Sequence, residues 1–290
     1  MTDAQPASQG RSLKSSVTVG LILGAAFLVS ILIYKELFIV LAALAAGAGA
    51  WELSTALRAP KTAGGVGYYV PRVPSVVGSV LIMPAAYFWG PQGQWLTALA
   101  ITGALIVWRL VHILWERREA PVQRIQHTLR DFAASAFVVI YLPLTTSFTM
   151  LLLRREPDGA WWVLTLVVTV AMIDTSGYLV GRKLGRHQMA PGVSPKKSLE
   201  GLAASIIFGS ISAITFTVTL LGGQWWIGLV IAATLLLTAV FGDLAESLIK
   251  RDLGVKDMSS LLPGHGGIMD RLDSILPSAL AMYVISALFF

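Results

Sequence analysis

A short window near the C-terminal end, residues 247–274, concentrates the side chains of this chain that could do chemistry. Its sequence, SLIKRDLGVKDMSSLLPGHGGIMDRLDS, brings four cations and four carboxylates together around a glycine-rich turn. Carboxylate oxygens are the ligands that hard divalent cations prefer, basic side chains bind phosphate, and glycine lets a backbone approach a ligand closely. The window therefore indicates chemistry on phosphates.

Two aspartates, Asp270 and Asp273, flank Arg271 at the predicted start of the last helix. Their spacing places both carboxylates on one helix face. Acidic residues in a first turn also favour the helix dipole, which is a purely structural explanation. The preceding glycines favour a ligand instead, because they leave backbone N–H groups free for an anion. These glycines are Gly264, Gly266 and Gly267.

Four polar residues follow the eighth apolar segment at positions i, i+3, i+4 and i+7. They are Asp243, Glu246, Ser247 and Lys250. If the helix continues past the membrane boundary, this spacing puts them near one face. A carboxylate at membrane depth is costly unless it is paired, and it indicates a functional site by default. The alternative is a surface ion pair with Lys250, which would contribute little. We favour the functional interpretation.

Asp174 lies inside a predicted span, about 10 Å below its cytoplasmic end at about 1.5 Å per residue. It either lines a polar cleft, which we favour, or pairs with a buried basic residue such as Arg109. The next loop, SPKKSLEG from Ser194, supplies Lys196 and Lys197 before Ser198, a predicted helix N-cap. A cytoplasmic lysine pair is often only a topology signal, but beside these aspartates it is a plausible phosphate clamp.

His265 stands in the middle of the glycine-rich turn. It could donate a hydrogen bond to a phosphate oxygen, transfer a proton, or merely brace the turn. A phosphate monoester has a second pKa near 6, so at neutral pH it is already a competent nucleophile. A protein base is then unnecessary, and we favour phosphate contact.

Composition places the chain among membrane proteins. Charged residues make up 13% and hydrophobic residues 55%, whereas a soluble domain carries about 25% charged residues. The chain has no cysteine, which excludes disulfides, thiolate catalysis and cysteine-ligated metals. It also lacks the GxxxxGK[ST], HExxH and GxSxG motifs, so a P-loop kinase, a zincin or an α/β-hydrolase is not supported.

Apolar segments long enough to span a membrane need about 20 residues, and the sequence predicts an all-α polytopic protein with about nine of them. The predicted spans are 17–34, 37–53, 74–89, 95–115, 132–153, 161–180, 202–221, 225–242 and 275–290. Residues 1–16 and the run after them resemble the opening of a signal peptide. That run is long for such a peptide, so we expect it to remain as the first span.

Basic residues predict the orientation of these spans. If the N-terminus is cytoplasmic and the C-terminus outside, the outside loops hold only Lys35, Arg154 and Arg155 of the 22 lysines and arginines. Such a bias is the positive-inside rule. It places the window at 247–274 on the cytoplasmic side. The net charge of +6 is then mainly a topology signal, with attraction to anionic lipid second. We expect no nucleic-acid partner.

The motifs resemble the signature of phosphatidate cytidylyltransferases (CDP-diacylglycerol synthases). The resemblance is carried by SLIKR at 247–251, KD at 256–257 and LPGHGGIMDRLD at 262–273, and it extends to DTSGYLVGRKLG and SPKKSLEG upstream. Ser198 stands where threonine is more usual in the family and keeps the hydroxyl. The resemblance places a catalytic region at 131–290, whereas residues 1–130 carry no motif and are expected to be scaffold.

This resemblance implies conversion of CTP and phosphatidate to CDP-diacylglycerol and pyrophosphate in the inner (plasma) membrane. It implies Mg²⁺ held by Asp243 and Asp270, with room for a monovalent cation such as K⁺. A homodimer is compatible with it. The predicted catalytic residues are Asp243, Asp270, Lys250, Arg251, His265 and Arg271. The predicted substrate-binding residues are Asp174, Ser194, Lys196, Lys197, Ser198, Glu246, Ser247, Lys256, Gly264, Gly266, Gly267 and Asp273.

Two other functions remain open at this point. A cation- or proton-coupled transporter would also explain carboxylates at membrane depth, although it would not explain a basic, glycine-rich turn outside the bilayer. A cytidylyltransferase that acts on another lipid phosphate, such as a prenyl-glyceryl one, would carry the same signature, because the acyl-binding surface is merely apolar.

Overall fold

The computed structural model describes residues 13–59, 67–115, 121–190, 194–262 and 266–290, with the backbone alone described at 13–19, 121–125, 190 and 194–196. These residues are almost entirely helical. The helices are α1 (Leu13–Leu32), α2 (Lys35–Arg58), α3 (Arg72–Trp115), α4 (Pro121–Val139), α5 (Thr145–Leu153), α6 (Gly159–Leu184), α7 (Leu199–Thr219), α8 (Trp225–Leu253), α9 (Met269–Leu272) and α10 (Ile275–Phe289). A π-helical turn, Ile140–Leu144, joins α4 to α5.

Seven helical segments within the described residues are long and apolar enough to cross a membrane. They are Lys35–Arg58, Arg72–Trp115, Gln126–Leu153, Gly159–Leu184, Leu199–Thr219, Trp225–Leu253 and Met269–Phe289. A shorter apolar helix covers Gly20–Leu32. The prediction of a polytopic helical membrane protein is therefore confirmed.

Helix α3 is a hairpin of two helical arms that meet at Gly90. This residue has φ 66° and ψ −149°, a conformation that glycine adopts readily, and Pro91 follows it at the start of the second arm. A Cβ placed on Gly78 would lie 2.4 Å from Cγ1 of Ile101. In a straight helix these residues would be about 35 Å apart at about 1.5 Å per residue, so the arms fold back on each other.

The segment from α4 through α5 stays helical past Pro143, where proline removes a backbone donor. Two threonine hydroxyls after it bond to backbone carbonyls of the preceding turn. Thr145 donates to the carbonyl of Tyr141 at 2.5 Å, and Thr146 donates to that of Leu142 at 2.6 Å. The segment is buried, and Leu142 is fully enclosed.

Two short antiparallel strands, β1 (Gln188–Ala190) and β2 (Ser194–Ser198), follow α6. They are the only departure among the described residues from the predicted all-α class, and they lie where the sequence indicated a loop. Strands of three and five residues are too short to show a period-2 pattern. The hairpin places Lys197 and Ser198 beside the end of α6.

Helices α6 and α7 approach closely through small residues spaced four positions apart, Gly177 and Gly181 on α6 and Gly201 and Ser205 on α7. A Cβ on Gly177 would lie 2.5 Å from Oγ of Ser205, and one on Gly201 would lie 2.6 Å from the carbonyl oxygen of Gly177. Small residues at such spacing let helix backbones pack together inside a membrane. The contact holds α6, the helix that carries Asp174, in place against α7.

Arg109 does not pair with Asp174, the alternative that we had considered for that aspartate. Its guanidinium lies 2.7 Å from the carboxylate of Asp131, and both side chains are buried. Asp131 also accepts a hydrogen bond of 2.8 Å from the backbone N–H of Tyr69. A buried charge needs a partner, and the partner of Arg109 is Asp131, in the N-terminal half of the chain.

Candidate active site

A polar cavity of about 670 Å³ lies between α6, α7, α8 and the segment around α9. Most of the carboxylates identified in the sequence line it. The acidic lining residues are Asp174, Asp243, Asp257, Asp270 and Asp273, and the basic ones are Lys197, Lys250 and Arg271. Residues separated by up to a hundred positions in the sequence therefore meet around one cavity.

Helix α8 continues through Leu253, as the interpretation of Asp243 and Glu246 required. It ends at Gly254, whose φ of 70° gives the left-handed cap that helices commonly use. The N–H of Val255 then donates to the carbonyl of Lys250 at 2.9 Å. The helix thereby presents Asp243 and Lys250 to the same cavity.

Lys250 bridges two buried carboxylates. Its Nζ lies 2.6 Å from Oε2 of Glu246 and 2.8 Å from Oδ1 of Asp270. Glu246 is completely buried, and its Oε1 atom has no hydrogen-bond partner among the described residues. The alternative of an exposed pair between Glu246 and Lys250 is therefore wrong, because burial makes the cation indispensable to both acids.

Asp270 holds the glycine-rich segment in place with its second oxygen. Oδ2 accepts hydrogen bonds from the backbone N–H groups of Met258 at 3.0 Å and Gly267 at 2.8 Å. Gly266 has φ 84°, and a Cβ there would lie 2.9 Å from Oδ2 of Asp270. Glycine is thus required for backbone conformation and close approach, and Asp270 Oδ1 is left facing Lys250.

Lys197 reaches the cavity from β2. Its Nζ lies 2.5 Å from Oδ2 of Asp243, and both side chains are partly exposed. Ser247 donates to the other oxygen of Asp243 at 3.5 Å. Ser198 caps α7 as predicted, because its Oγ accepts a hydrogen bond of 3.1 Å from the N–H of Gly201. The N-cap and strand β2 together place the side chain of Lys197 next to Asp243 on α8.

Several carboxylates of the cavity lining interact with one another. Asp174 interacts electrostatically with Asp273 and Asp243, and its side chain is exposed to the cavity. Asp273 in turn interacts with Asp243 and Glu246. Carboxylates gathered in this way repel one another unless cations neutralise them. Of the two alternatives for Asp174, the polar cleft is the one that the structure shows.

Oxygen ligands of this kind fit Mg²⁺. Among the described residues, no three acidic or histidine side chains form a ready-made metal cage. Mg²⁺ does not need one, because it keeps several waters and binds through one or two carboxylates and substrate phosphates. Asp243 on α8 and Asp270 on α9 both line the cavity, and could supply those carboxylates.

The remaining predicted residues divide into three groups. Arg271 lines the cavity and is exposed, whereas Arg251 and Lys256 are exposed but do not line it. Gly264 and His265 lie outside the described residues. Ser194 and Lys196 belong to β2, where only the backbone is described. Their assigned roles stay predictions.

Glu52 on α2 is a contact that the sequence did not reveal. This buried carboxylate accepts hydrogen bonds from Ser259, Ile268 and Met269, which surround the glycine-rich turn. Its partners lie more than 200 positions away, so no local spacing could indicate them. The only local signal is an acidic residue inside an apolar segment, which is costly without a partner.

Comparison with known proteins agrees with this arrangement. Residues 14–289 match the sequence model of the cytidylyltransferase family. The chain belongs to the cytidylyltransferase family. Phosphatidate cytidylyltransferases of Mycobacterium bovis and Mycobacterium leprae are 35% and 37% identical to it. The alignments cover 98% and 96% of this chain and 92% and 89% of the relatives.

Membership of the cytidylyltransferase family confirms the resemblance that the motifs indicated, and with it the assignment of the chain as an enzyme. Because the match begins at residue 14, the family extends over the N-terminal helices, for which the sequence offered no motif. A transporter is thereby set aside.

Proposed function

We propose that this chain is an integral membrane nucleotidyltransferase that converts CTP and phosphatidate to CDP-diacylglycerol and pyrophosphate for phospholipid synthesis. The observation that carries the proposal is the cavity where carboxylates of α6, α8 and α9 face Lys197, Lys250 and Arg271. Nucleotidyl transfer needs this combination, because positioning and charge neutralisation supply most of its catalysis.

In the proposed reaction, a phosphate oxygen of phosphatidate attacks the α-phosphorus of CTP. The bond from that phosphorus to the oxygen bridging to the β-phosphate breaks, and pyrophosphate leaves. The nucleophile is already ionised at neutral pH, so no residue of the chain has to remove a proton. Lys197, Lys250 and Arg271 would neutralise the triphosphate and the lipid phosphate as charge redistributes.

The chemistry that Mg²⁺ would supply at this site is neutralisation of the negative charge on the triphosphate. We propose Asp243 and Asp270 as its ligands. Asp270 would offer Oδ1, because Oδ2 is already engaged by two backbone N–H groups. Lys250, which contacts Oδ1 through an ammonium group, would keep its ion pair with Glu246 and neutralise a nearby phosphate. We also propose that a monovalent cation such as K⁺ binds in the same acidic cluster.

We also propose nine crossings, with a cytoplasmic N-terminus and an outside C-terminus. The seven long apolar segments, the shorter Gly20–Leu32 helix and the second arm of α3 support that number. The distribution of basic residues supports the orientation. The active site would then face the cytoplasm from the inner membrane, where CTP is available. A homodimer remains part of the proposal, and close packing by small residues is compatible with it.

The experiment is a direct assay. Purified protein in detergent receives labelled CTP, dioleoyl phosphatidate and Mg²⁺, and CDP-lipid and pyrophosphate are measured together. Equal amounts of both products are expected from the wild type, and none from Asp243→Ala. Absence of product, with the wild type and Asp243→Ala behaving alike, would overturn the proposal. A parallel reaction with a prenyl-glyceryl phosphate tests the other lipid substrate, and preference for it would replace phosphatidate.

A further inference from the structure

We infer that Glu52, on helix α2, is a positioning residue for the active site, because it anchors the segment that carries Asp270. The inference assigns a specific role to the N-terminal part of the chain. It rests on the proposed function only through the activity measurements described below.

The carboxylate of Glu52 meets both ends of the glycine-rich turn. Oε1 accepts hydrogen bonds from Oγ of Ser259 at 2.5 Å and from the N–H of Ile268 at 3.0 Å. Oε2 accepts one of 2.9 Å from the N–H of Met269. One side chain therefore ties the residues before the turn to those after it.

Asp270 makes the complementary connection. Its Oδ2 joins Met258 to Gly267 through their N–H groups, next to the residues that Glu52 joins. The two carboxylates thus tie together the residues before and after the same turn. Since Asp270 Oδ2 and Glu52 share this short segment, a shift of the backbone at Gly267–Met269 would move Asp270 Oδ1 relative to Lys250.

Glu52 is enclosed and lies close to the backbone of Gly267. The residue is 4% exposed, and a Cβ on Gly267 would lie 2.6 Å from its Oε2. A buried carboxylate with three donors is stabilised strongly by them. Each donor would in turn lose its partner if the carboxylate were removed. The glycine at 267 therefore allows close packing against Glu52 on α2.

The test compares Glu52→Gln with Glu36→Gln, the same change at an exposed position near the start of the same helix. Glutamine keeps the volume of glutamate but presents an N–H₂ group to donors, so it breaks at least one of the three bonds. Hydrogen exchange of the peptide 258–269 is followed by mass spectrometry without substrates. We expect exchange about tenfold or more faster in Glu52→Gln and unchanged in Glu36→Gln.

Activity provides the second readout. In Glu52→Gln we expect kcat to fall about 10- to 100-fold, as for outer residues that orient ligands, and half-saturation by Mg²⁺ to shift upward. The KM for phosphatidate should stay within about twofold, because no contact to the lipid is removed. A merely structural role would lower the folded fraction without moving the Mg²⁺ dependence of the folded enzyme.

Ser259→Ala keeps the test decisive if Glu52→Gln does not fold. It removes one donor to Oε1 and leaves both backbone donors, so exchange of 258–269 should rise by a smaller factor. Unchanged exchange in each folded variant, or unchanged kcat and Mg²⁺ dependence in Glu52→Gln, overturns the inference. A wild type that forms no CDP-lipid would overturn the proposed reaction instead, while the exchange experiment would still decide the role of Glu52.

Discussion

Lys250 and Asp270 lie 20 positions apart in the sequence, and the ammonium of the first stands 2.8 Å from Oδ1 of the second. This ion pair connects α8 to the segment around α9. The same ammonium is 2.6 Å from the fully buried Glu246. One cation thus compensates two acids at the edge of the cavity. The same lysine therefore matters both for the stability of the fold and for the charge of the candidate active site.

Lys250→Met is expected to destabilise the protein as well as to reduce its activity. The substitution would leave Glu246 and Asp270 buried without their cation, and breaking a buried pair costs about 3–5 kcal/mol. Thermal unfolding in detergent measures the loss. Adding Glu246→Gln to the variant should restore part of the stability, because one uncompensated charge is removed. Equal stability of Lys250→Met and wild type would contradict the bridging role.

Asp270→Asn should stop turnover while the fold is retained. Asparagine still offers an oxygen to the N–H groups of Met258 and Gly267, but it lacks the charge for Mg²⁺ and for Lys250. We expect at least about a hundredfold lower kcat, similar to removing a group that stabilises transition-state charge. Asp252→Asn, at an exposed position in the same polar region, is the control. Full activity of Asp270→Asn would remove Asp270 from the metal site.

The sequence predicted the local features of this molecule well. The continuation of α8 past Asp243, the N-cap at Ser198 and the apolar segments all depend on residues within about one or two helical turns of each other. Side-chain spacing and burial determine such features directly. The family resemblance added the metal-binding role that is predicted for Asp243 and Asp270.

Contacts between segments that are far apart in the sequence could not be predicted from it. The pairs Glu52–Met269 and Arg109–Asp131 depend on how helices pack, and no periodic pattern encodes that. The same limit explains Lys250, for which the sequence indicated a phosphate or a surface pair on its own helix, but not the ion pair with Asp270. The division into a scaffold at 1–130 and a catalytic region at 131–290 stays a prediction, although Glu52 contacts the catalytic segment.

Gly177→Ala is expected to weaken the contact between α6 and α7. The new methyl group would lie 2.5 Å from Oγ of Ser205, and overpacking of this kind costs about 1–3 kcal/mol. Gly103→Ala is a matched control, because nothing lies within 4 Å of a Cβ at that helical position. There alanine should be neutral or stabilising, by up to about 1 kcal/mol. Equal thermal unfolding midpoints for the two variants would contradict close packing at Gly177.

Lys197→Met should affect CTP binding far more than stability. Its partner Asp243 is about one-third exposed, and partly solvated pairs contribute little to folding. A lysine that binds the triphosphate, in contrast, supplies a charge-assisted bond worth about 1.5–3 kcal/mol. We therefore expect the KM for CTP to rise about 10- to 100-fold, with the unfolding midpoint nearly unchanged.

Lys183→Met is the control for that substitution, because Lys183 is exposed at the end of α6 and does not line the cavity. It removes the same charge from the same side of the membrane, so a general electrostatic effect on CTP would lower the affinity of both variants alike. A rise in the KM for CTP confined to Lys197→Met would assign the effect to the cavity. Equal KM values in both variants and the wild type would leave Lys197 as a partner of Asp243 alone, without a role in binding the nucleotide.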